Sequence, residues 1–353
     1  MNNELSKKWM IYGAYGYTGE LVVQQAIAQQ RQPVLAGRNE AKIKAVAEKY
    51  NLPYKAFNVE NVGDFLEDTD ILINCAGPFE QTAEPLMDAC IKYKVHYFDI
   101  TGEIPIYEAA YKRHFKANQA GVLLCPGVGF DIVPTDMLAA LLARELPKAT
   151  HLELAFNFGS LPSQGTARTA VINIGKGGLI RKEGELKQVG LGYRISKIPF
   201  ENGTKSACSL PWGDVFTAYH STGIRNTIVY CALPAVLCWN QKLTNPIRGF
   251  LARPFMQKML LGLVDKFLDK GPNENTRLTA GTEFWGRVKE GDGREVSATL
   301  TGPSVYVMTA ELSVAAALQA ESISPEGGYY TASKLLGADF LSNRDGYTVK
   351  IGR

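Results

Sequence analysis

The sequence predicts an α/β protein with a Rossmann-type, doubly wound parallel sheet and a second α+β domain. Two observations carry this prediction. Up to about residue 124, short apolar runs alternate with longer segments of helical period, as in a parallel sheet with helical crossovers. After residue 131 the apolar runs lengthen and the alternation stops, so a different topology is expected to begin there.

The length of 353 residues favours two domains, because one domain usually holds roughly 100–200 residues. We expect residues 1–131 and 304–353 to form the Rossmann domain. Residues 132–303 are expected to form an inserted α+β domain for substrate binding and dimerisation. The C-terminal segment is thus predicted to return to the first domain.

Six apolar runs predict the strands of the first sheet, and the segments between them predict helical crossovers. The runs are WMIYG, PVLAGR, YKAFNV, DILINCAG, VHYFDIT and GVLLCPG. In the second domain, THLELAFNFG at 150–159 predicts a strand and 283–302 predicts a hairpin around GDGR. The segment 304–320 predicts a helix, and GYTVKI near the end predicts a strand.

Composition excludes several classes of function. The formal net charge is +3 and 21% of the residues are charged, which gives no sign of nucleic-acid binding. The six cysteines form no CxxC pair and the four histidines are scattered, so no metal site is expected. No apolar run is long enough to span a membrane. These features predict a reduced, cytoplasmic protein.

The stretch YGAYGYTG at 12–19 predicts a nucleotide-binding turn, because a strand precedes it and a helical segment follows it. Gly13, Gly16 and Gly19 would allow the backbone to approach a pyrophosphate. Thr18 would cap the helix or bind a phosphate. The alternative is a glycine-rich turn with a purely structural role.

Arg38 follows the second strand, where NAD-binding proteins carry an acidic residue for the ribose. A guanidinium group at this position suits the 2′-phosphate of NADP(H), so NADP(H) is the predicted cofactor. The alternative is a solvated Arg38 beside Asn39, which would merely cap the next helix.

Two further strands end in loops at the predicted ligand-binding edge, namely NCAGPF at 74–79 and DITGE at 99–103. Gly77 and Pro78 would form a stiff turn under the ribose and nicotinamide. Asp99 and Glu103 would serve acid–base chemistry or, equally, cap a helix.

The motifs GAYGYTG, AGR, NCAGPF, DITGE and PGVGFDIVPTD together resemble the saccharopine dehydrogenase-like family. PWGDVFTAYHSTGI at 211–224 and the ending EGGYYTASKLLGADF resemble its bacterial branch of trans-acting enoyl reductases. The resemblance implies an NADP(H)-dependent oxidoreductase. It assigns cofactor binding to the glycine turn and the loops after the strands: Gly13, Tyr15, Gly16, Tyr17, Thr18, Gly19, Arg38, Ala76, Gly77, Pro78, Thr101 and Gly102.

Three residues are candidate proton donors. His220 and its neighbour Tyr219 lie in the predicted substrate domain, on a segment interpreted as a strand, where only one of them would face the cleft. Asp131 follows the sixth strand. The alternatives are a structural, hydrogen-bonded His220 and an Asp131 that caps the next helix.

The substrate is expected to be small and hydrophobic, for example an acyl thioester with a C=C or C=O bond to reduce. A saccharopine-type imine substrate would need clustered cations, and Arg168, Arg181 and Arg194 are scattered along the chain. An NADP(H)-binding sensor without turnover is the non-enzyme alternative. The apolar and basic segment 226–268 would touch a membrane or lipid, or would consist of ordinary buried helices.

Overall fold

The computed structural model describes residues 7–159, 167–168, 171–172, 174–267, 280–323 and 325–352. The chain divides into two compact units. The first unit contains Met1–Val133 and Tyr306–Gly337, and the second contains Pro134–Val305 and Ala338–Arg353. The chain therefore returns to the first unit at Tyr306 and leaves it again after Gly337. Residue 268 of the basic apolar segment lies outside the described residues.

Strands are numbered in chain order. Their bounds are β1 (Trp9–Tyr12), β2 (Val34–Gly37), β3 (Tyr54–Ala56), β4 (Ile71–Asn74), β5 (His96–Asp99), β6 (Leu123–Cys125), β7 (His151–Asn157), β8 (Gly178–Lys182), β9 (Glu185–Val189), β10 (Ile195–Phe200), β11 (Gly203–Ser209), β12 (Asn226–Ala232), β13 (Thr282–Lys289), β14 (Glu295–Gly302), β15 (Gly328–Tyr329) and β16 (Thr348–Gly352).

The α-helices are numbered in the same way. Their bounds are α1 (Tyr17–Ala28), α2 (Glu40–Tyr50), α3 (Phe79–Tyr93), α4 (Ile104–Lys112), α5 (His114–Ala120), α6 (Val133–Glu145), α7 (Asp214–Thr222), α8 (Ala235–Leu243), α9 (Arg248–Leu251), α10 (Pro254–Phe267), α11 (Val305–Ile323) and α12 (Ala332–Leu336).

The first sheet has the strand order β15-β6-β5-β4-β1-β2-β3. All of its strand pairs are parallel. Strands β1, β2, β4, β5 and β6 are almost wholly buried, which explains their continuous apolar runs, whereas the edge strand β3 has no buried residue. All six predicted strands are confirmed. The strand order reverses between β1 and β4, and in open α/β sheets a ligand binds at such a switch point, beyond the carboxyl ends of the strands.

The second sheet has the order β10-β11-β12-β7-β13-β14-β16, and β8 and β9 branch from β12. Only β12 and β7 pair in parallel; the other pairs described are antiparallel. The predicted strand at 150–159 and the hairpin at 283–302 are confirmed as β7 and the β13–β14 pair. Ala155, Tyr230 and Trp285 belong to an apolar cluster in this unit.

Two local predictions are corrected. The segment containing Tyr219 and His220 is the helix α7 and not a strand, and it ends at Gly223, whose φ is +75°. Between β3 and β4 the chain forms two short 3-10 helices, Val59–Asn61 and Gly63–Leu66, in place of the predicted helical crossover. None of the described helices combines the length and the apolar composition needed to cross a membrane.

Candidate functional site

The glycine turn between β1 and α1 is packed too tightly for side chains. Gly13 has a φ of +83°, and a Cβ atom there would lie 2.8 Å from the backbone nitrogen of Ala76. A Cβ atom on Gly19 would overlap the carbonyl oxygen of Gly13. The turn therefore brings three stretches of backbone together, which is how such turns approach a pyrophosphate.

Helix α1 begins directly at this turn. Its N-cap is Gly16, which offers no side-chain cap, and Tyr17 is its first residue. Thr18 lies inside the first turn of the helix, so it does not cap it. The backbone N–H groups of a helix N-terminus bind phosphate, because they lack intrahelical acceptors and lie at the positive end of the helix dipole.

Two exposed cations follow β2, namely Arg38 directly after the strand and Lys42 in the first turn of α2. Asn39 caps α2 by accepting a hydrogen bond from the backbone N–H of Lys42 at 3.0 Å. The ring of Tyr15 covers Gly37, where a Cβ atom would lie 2.6 Å from the ring, and the ammonium of Lys42 lies 5.9 Å from its centroid. These residues fit an adenosine with a 2′-phosphate. Lys42 was not predicted from the sequence.

A buried hydrogen-bond network holds the loop after β4. Nδ2 of Asn74 donates to Thr82 Oγ1 at 3.1 Å and to the phenol oxygen of Tyr97 at 3.2 Å. Its Oδ1 accepts from the backbone N–H of Ala76 at 3.0 Å, and Thr82 donates to the carbonyl of Ala76 at 2.7 Å. The peptide bond between Gly77 and Pro78 is cis. Ala76, at the close approach to Gly13, is thus fixed from two sides.

Asp99 ties the loop after β5 to the loop after β6. Its carboxylate accepts from Tyr97 at 2.8 Å, from the backbone N–H of Thr101 at 3.0 Å and from that of Gly127 at 2.8 Å. Burial raises the pKa of this carboxyl to about 6, although the three hydrogen bonds oppose the shift. Asp99 therefore positions both loops and caps no helix.

Asp131 lies against the loop after β5. A Cβ atom on Gly102 would be 3.2 Å from Oδ2 of Asp131, so a side chain at this position would crowd the carboxyl. Burial raises the pKa of Asp131 to about 7, and the negative charge of Glu103 raises it further in the same direction. Asp131 can therefore hold a proton near neutral pH, and two predicted site residues, Gly102 and Asp131, meet.

The returning helix α11 supports this edge of the first unit. Oγ1 of Thr309 accepts a hydrogen bond from the backbone N–H of Phe130 at 3.2 Å, next to Asp131. The ring of Tyr306 packs edge-on against Tyr17, with the centroids 4.9 Å apart. Neither contact was expected from the sequence. Phe130 and Thr309 are 179 positions apart, Tyr17 and Tyr306 are even farther apart, and no local sequence pattern indicates that they meet.

Tyr219 and His220 lie on α7, in the second unit. The guanidinium carbon of Arg181 is 4.4 Å from the ring centroid of Tyr219. The ring of His220 packs on that of Phe216, with 4.5 Å between centroids. Arg181 is buried and donates to the carbonyl of Val215 at 2.8 Å. The packing of His220 against Phe216 favours the structural alternative given for His220.

The residues of the first unit thus fit a dinucleotide. A glycine cradle and a helix N-terminus face the pyrophosphate position, cations stand at the adenosine end, and a protonatable carboxyl lies beside the loop after β5. Among the described residues, no group of three or more His, Cys, Asp or Glu side chains is arranged to hold a metal ion.

The sequence of the first unit is similar to those of known proteins. The family described as "Saccharopine dehydrogenase NADP binding domain" matches residues 9–125. A saccharopine dehydrogenase-like oxidoreductase of Bos taurus is 27% identical over 213 residues, which cover 51% of this chain and 49% of that protein. The match thus spans about half the length of this curated relative. A trans-acting enoyl reductase of Mycobacterium ulcerans is 26% identical over 157 residues, covering 41% of this chain and 38% of that protein.

Two comparisons cover nearly the whole chain. A lipid droplet localized protein of Caenorhabditis elegans is 21% identical over 401 residues and covers 93% of each chain. The solved structure of apo saccharopine dehydrogenase (L-Glu forming) from Saccharomyces cerevisiae superposes with a TM-score of 0.67 at 12% identity, covering 98% of this chain and 99% of that one. The structural likeness extends the common fold to both units.

Proposed function

We propose, from the premise that residues 9–125 form an NADP-binding domain of the saccharopine dehydrogenase family, that this protein is an NADP(H)-dependent reductase. Its substrate would be a small hydrophobic molecule, such as an acyl thioester, with a C=C or C=O bond. The name of the Mycobacterium ulcerans relative, a trans-acting enoyl reductase, favours the C=C bond. We further propose that the protein works in the cytoplasm as a homodimer.

The observation that carries this proposal is the carboxyl of Asp131 beside Gly102. When bound, NADPH supplies a hydride, and the reduction of a C=C or C=O bond also consumes one proton. Asp131 has a pKa of about 7, so a large fraction of it is protonated at neutral pH. Asp131 would therefore deliver the proton to the carbon or oxygen that the hydride does not attack.

The other residues of the first unit would hold the cofactor in place. Arg38 and Lys42 would pair with the 2′-phosphate, and the N-terminus of α1 would bind the pyrophosphate. The network centred on Asn74 and Asp99 would keep the loops after β4, β5 and β6 in fixed positions, so that little order is lost when the cofactor binds.

The arginines of the second unit favour a substrate with few charges. Arg168 forms an ion pair with Asp265, with an N–O distance of 2.5 Å, and Arg194 lies 3.2 Å from Glu153. Arg181 donates to two backbone carbonyls. A saccharopine-type substrate with several carboxylates would need such cations for itself. Each of these three is already bound to an acceptor of the protein.

The first test combines cofactor binding with a substrate panel. NADPH, NADP⁺ and NADH are titrated into the purified protein by calorimetry, and the fluorescence of bound NADPH is then followed with enoyl thioesters, ketones and imines. We expect tight NADPH binding and oxidation by enoyl thioesters or ketones. Turnover with imines alone would favour the saccharopine-type reaction, and tight binding without any turnover would favour a sensor. Absence of NADPH binding would refute the proposal.

A further inference from the structure

A single segment of the second unit carries more than half of the exposed large apolar side chains in the described part of the chain. Of the eighteen large apolar side chains exposed in the described part of the chain, ten lie between residues 235 and 267, which we call the apolar–basic surface. They are Val236, Leu237, Trp239, Leu243, Ile247, Phe250, Phe255, Met259, Leu263 and Phe267. Such a concentration marks an interaction site, since exposed apolar residues are normally scattered.

Helix α10 presents the clearest part of this surface. Phe255, Met259, Leu263 and Phe267 follow one another at four-residue spacing, so they form one stripe along the helix. Their exposed fractions are 73%, 46%, 46% and 72%. No residue of α10 is buried. The described residues of the unit therefore leave uncovered the face that an amphipathic helix normally buries.

The opposite side of the segment is anchored to the protein, which fixes the face that points outward. The side chain of Asn245 accepts from the backbone N–H of Leu191 at 2.7 Å and donates to its carbonyl at 2.9 Å. Cys238 of α8 is completely buried. The segment is thus held in place while its apolar side chains are exposed. No part of the protein has to unfold before these side chains can contact a partner.

The charges on the same surface are almost all positive. Lys242, Arg253, Lys258 and Lys266 are exposed, and three of these cations lie 5.5–5.7 Å from the centroid of a neighbouring aromatic ring. Asp265 is the one acidic residue between 235 and 267, and it is paired with Arg168. Exposed aromatic and aliphatic side chains interleaved with cations are typical of helices that lie in a membrane interface.

We propose that the apolar–basic surface docks this protein onto a phospholipid bilayer that carries anionic headgroups. Leu243 and the stripe of α10 would enter the headgroup region, and the four exposed cations would pair with the lipid phosphates and carboxylates. A second copy of the chain fits the surface less well. Self-association of one patch about a two-fold axis would bring its cations against the same cations of the other copy.

Flotation with vesicles tests the proposal on the full-length protein. The vesicles contain phosphatidylcholine alone or with about 30 mol% phosphatidylserine, an anionic lipid. We expect binding to the anionic vesicles at low salt and weaker binding as salt is added. Lys258→Glu with Lys266→Glu should weaken binding by at least about tenfold, since each basic residue near such a surface contributes about fivefold. Phe255→Gln with Phe267→Gln should abolish insertion.

Matched variants outside the apolar–basic surface show whether the loss of vesicle binding is specific to that surface. Phe115 is 66% exposed on α5 and Lys148 is exposed after α6, so Phe115→Gln and Lys148→Glu should leave vesicle binding unchanged. Equal binding to both vesicle types, or an equal loss in the control variants, would overturn the proposal. The proposal would also be overturned if the wild type did not bind vesicles but formed a dimer in light scattering, and if Phe255→Gln with Phe267→Gln dissociated that dimer. NADPH affinity, which tests the reductase, should not change in any of these variants.

Discussion

The phenol oxygen of Tyr97 lies 2.8 Å from Oδ2 of Asp99, and both residues are completely buried. The two side chains come from one strand, two positions apart, and so lie on the same face of the sheet. Through Asn74 on one side and the backbone N–H groups of Thr101 and Gly127 on the other, this pair joins the loops after β4, β5 and β6. One connected hydrogen-bond network therefore holds the three loops of the candidate cofactor site in position.

Tyr97→Phe should destabilise the protein by about 1–3 kcal/mol, because it leaves a buried carboxylate oxygen without its donor. Urea unfolding monitored by fluorescence measures this free energy. Tyr93→Phe is the matched control, since the Tyr93 hydroxyl bonds to Asp64 at 3.1 Å at the surface, and its loss should cost less than about 0.5 kcal/mol. Equal costs for the two variants would contradict the role given to the network.

Arg38→Asp should weaken NADPH binding by about 100-fold, because it removes a charge-assisted contact and places a negative charge against the 2′-phosphate. NADH binding should stay the same or improve. Calorimetric titration with both cofactors gives the two affinities. Lys44→Asp makes the same change of charge at an exposed position of α2 and should have little effect. Equal losses for NADPH and NADH would exclude a 2′-phosphate contact.

Gly13→Ala should cost about 2–4 kcal/mol of stability and prevent NADPH binding. The new Cβ atom would meet Ala76 at about 2.8–2.9 Å, and the residue would keep an unfavourable positive φ. Gly121→Ala separates the two causes, because Gly121 also has a positive φ, of +68°, but has nothing within 4 Å of its Cβ position. It should cost only about 1 kcal/mol. A similar cost at both positions would mean that the turn is not sterically tight.

The proposed acid Asp131 predicts a pH profile. Because the protonated form is needed, kcat/KM for reduction should fall as the pH rises through about 7. Asp131→Asn should lower kcat by about 100-fold or more and remove this limb of the profile, while the affinity for NADPH stays within about twofold. Asp68→Asn, at a surface carboxyl, should leave the profile intact. If kcat/KM of Asp131→Asn still fell as the pH rises through about 7, another residue would be the proton donor.

His96 predicts how stability changes in acid. Its Nδ1 accepts a hydrogen bond from the backbone N–H of Leu123 at 3.1 Å, and burial, with a smaller effect of Lys7, lowers its pKa from 6.5 to about 4. The unfolded chain therefore binds a proton first as the pH falls. The contribution of neutral His96 is complete above about pH 6.5 and is lost toward pH 4.

The corresponding measurement is the free energy of unfolding of the wild type and His96→Asn between pH 4 and 7. Asparagine keeps an acceptor but does not titrate, so the wild type should lose about 1–3 kcal/mol relative to the variant as the pH falls. Exposed His151→Asn is the control for the loss of a histidine. A difference that does not depend on pH would contradict the shift assigned to His96.

The first unit was largely predictable because its signals are local. Each of the six apolar runs contains one strand, and the glycine turn has its strand and helix on either side. Asn39 caps α2 as the sequence allowed. In contrast, the segment VFTAYHST, whose aromatic and β-branched residues have some strand propensity, is not the strand that the sequence analysis expected. In the structure it is α7, since tertiary packing of Val215 and Ala218 overrides such weak propensities.

The unpredicted parts of the site depend on contacts between distant segments. Gly102 and Asp131 meet because β5 and β6 are neighbours in the sheet, which no spacing in the sequence reveals. Thr309, which follows the inserted unit in the sequence, contacts the loop after β6. Likewise, α10 is apolar enough for a core helix, and only the structure shows that none of its residues is buried.

The pairing of β15 with β6 has a consequence for how the protein is made. Gly328 of β15 pairs with Leu123 of β6, and about 200 residues separate the partners in the chain. At roughly 5–20 residues per second, a ribosome would expose the edge of β6 for roughly 10–40 s before its partner strand emerged. An open strand edge invites pairing with other chains. The nascent protein is therefore expected to depend on a chaperone during synthesis, until the final strand of its first sheet has been translated.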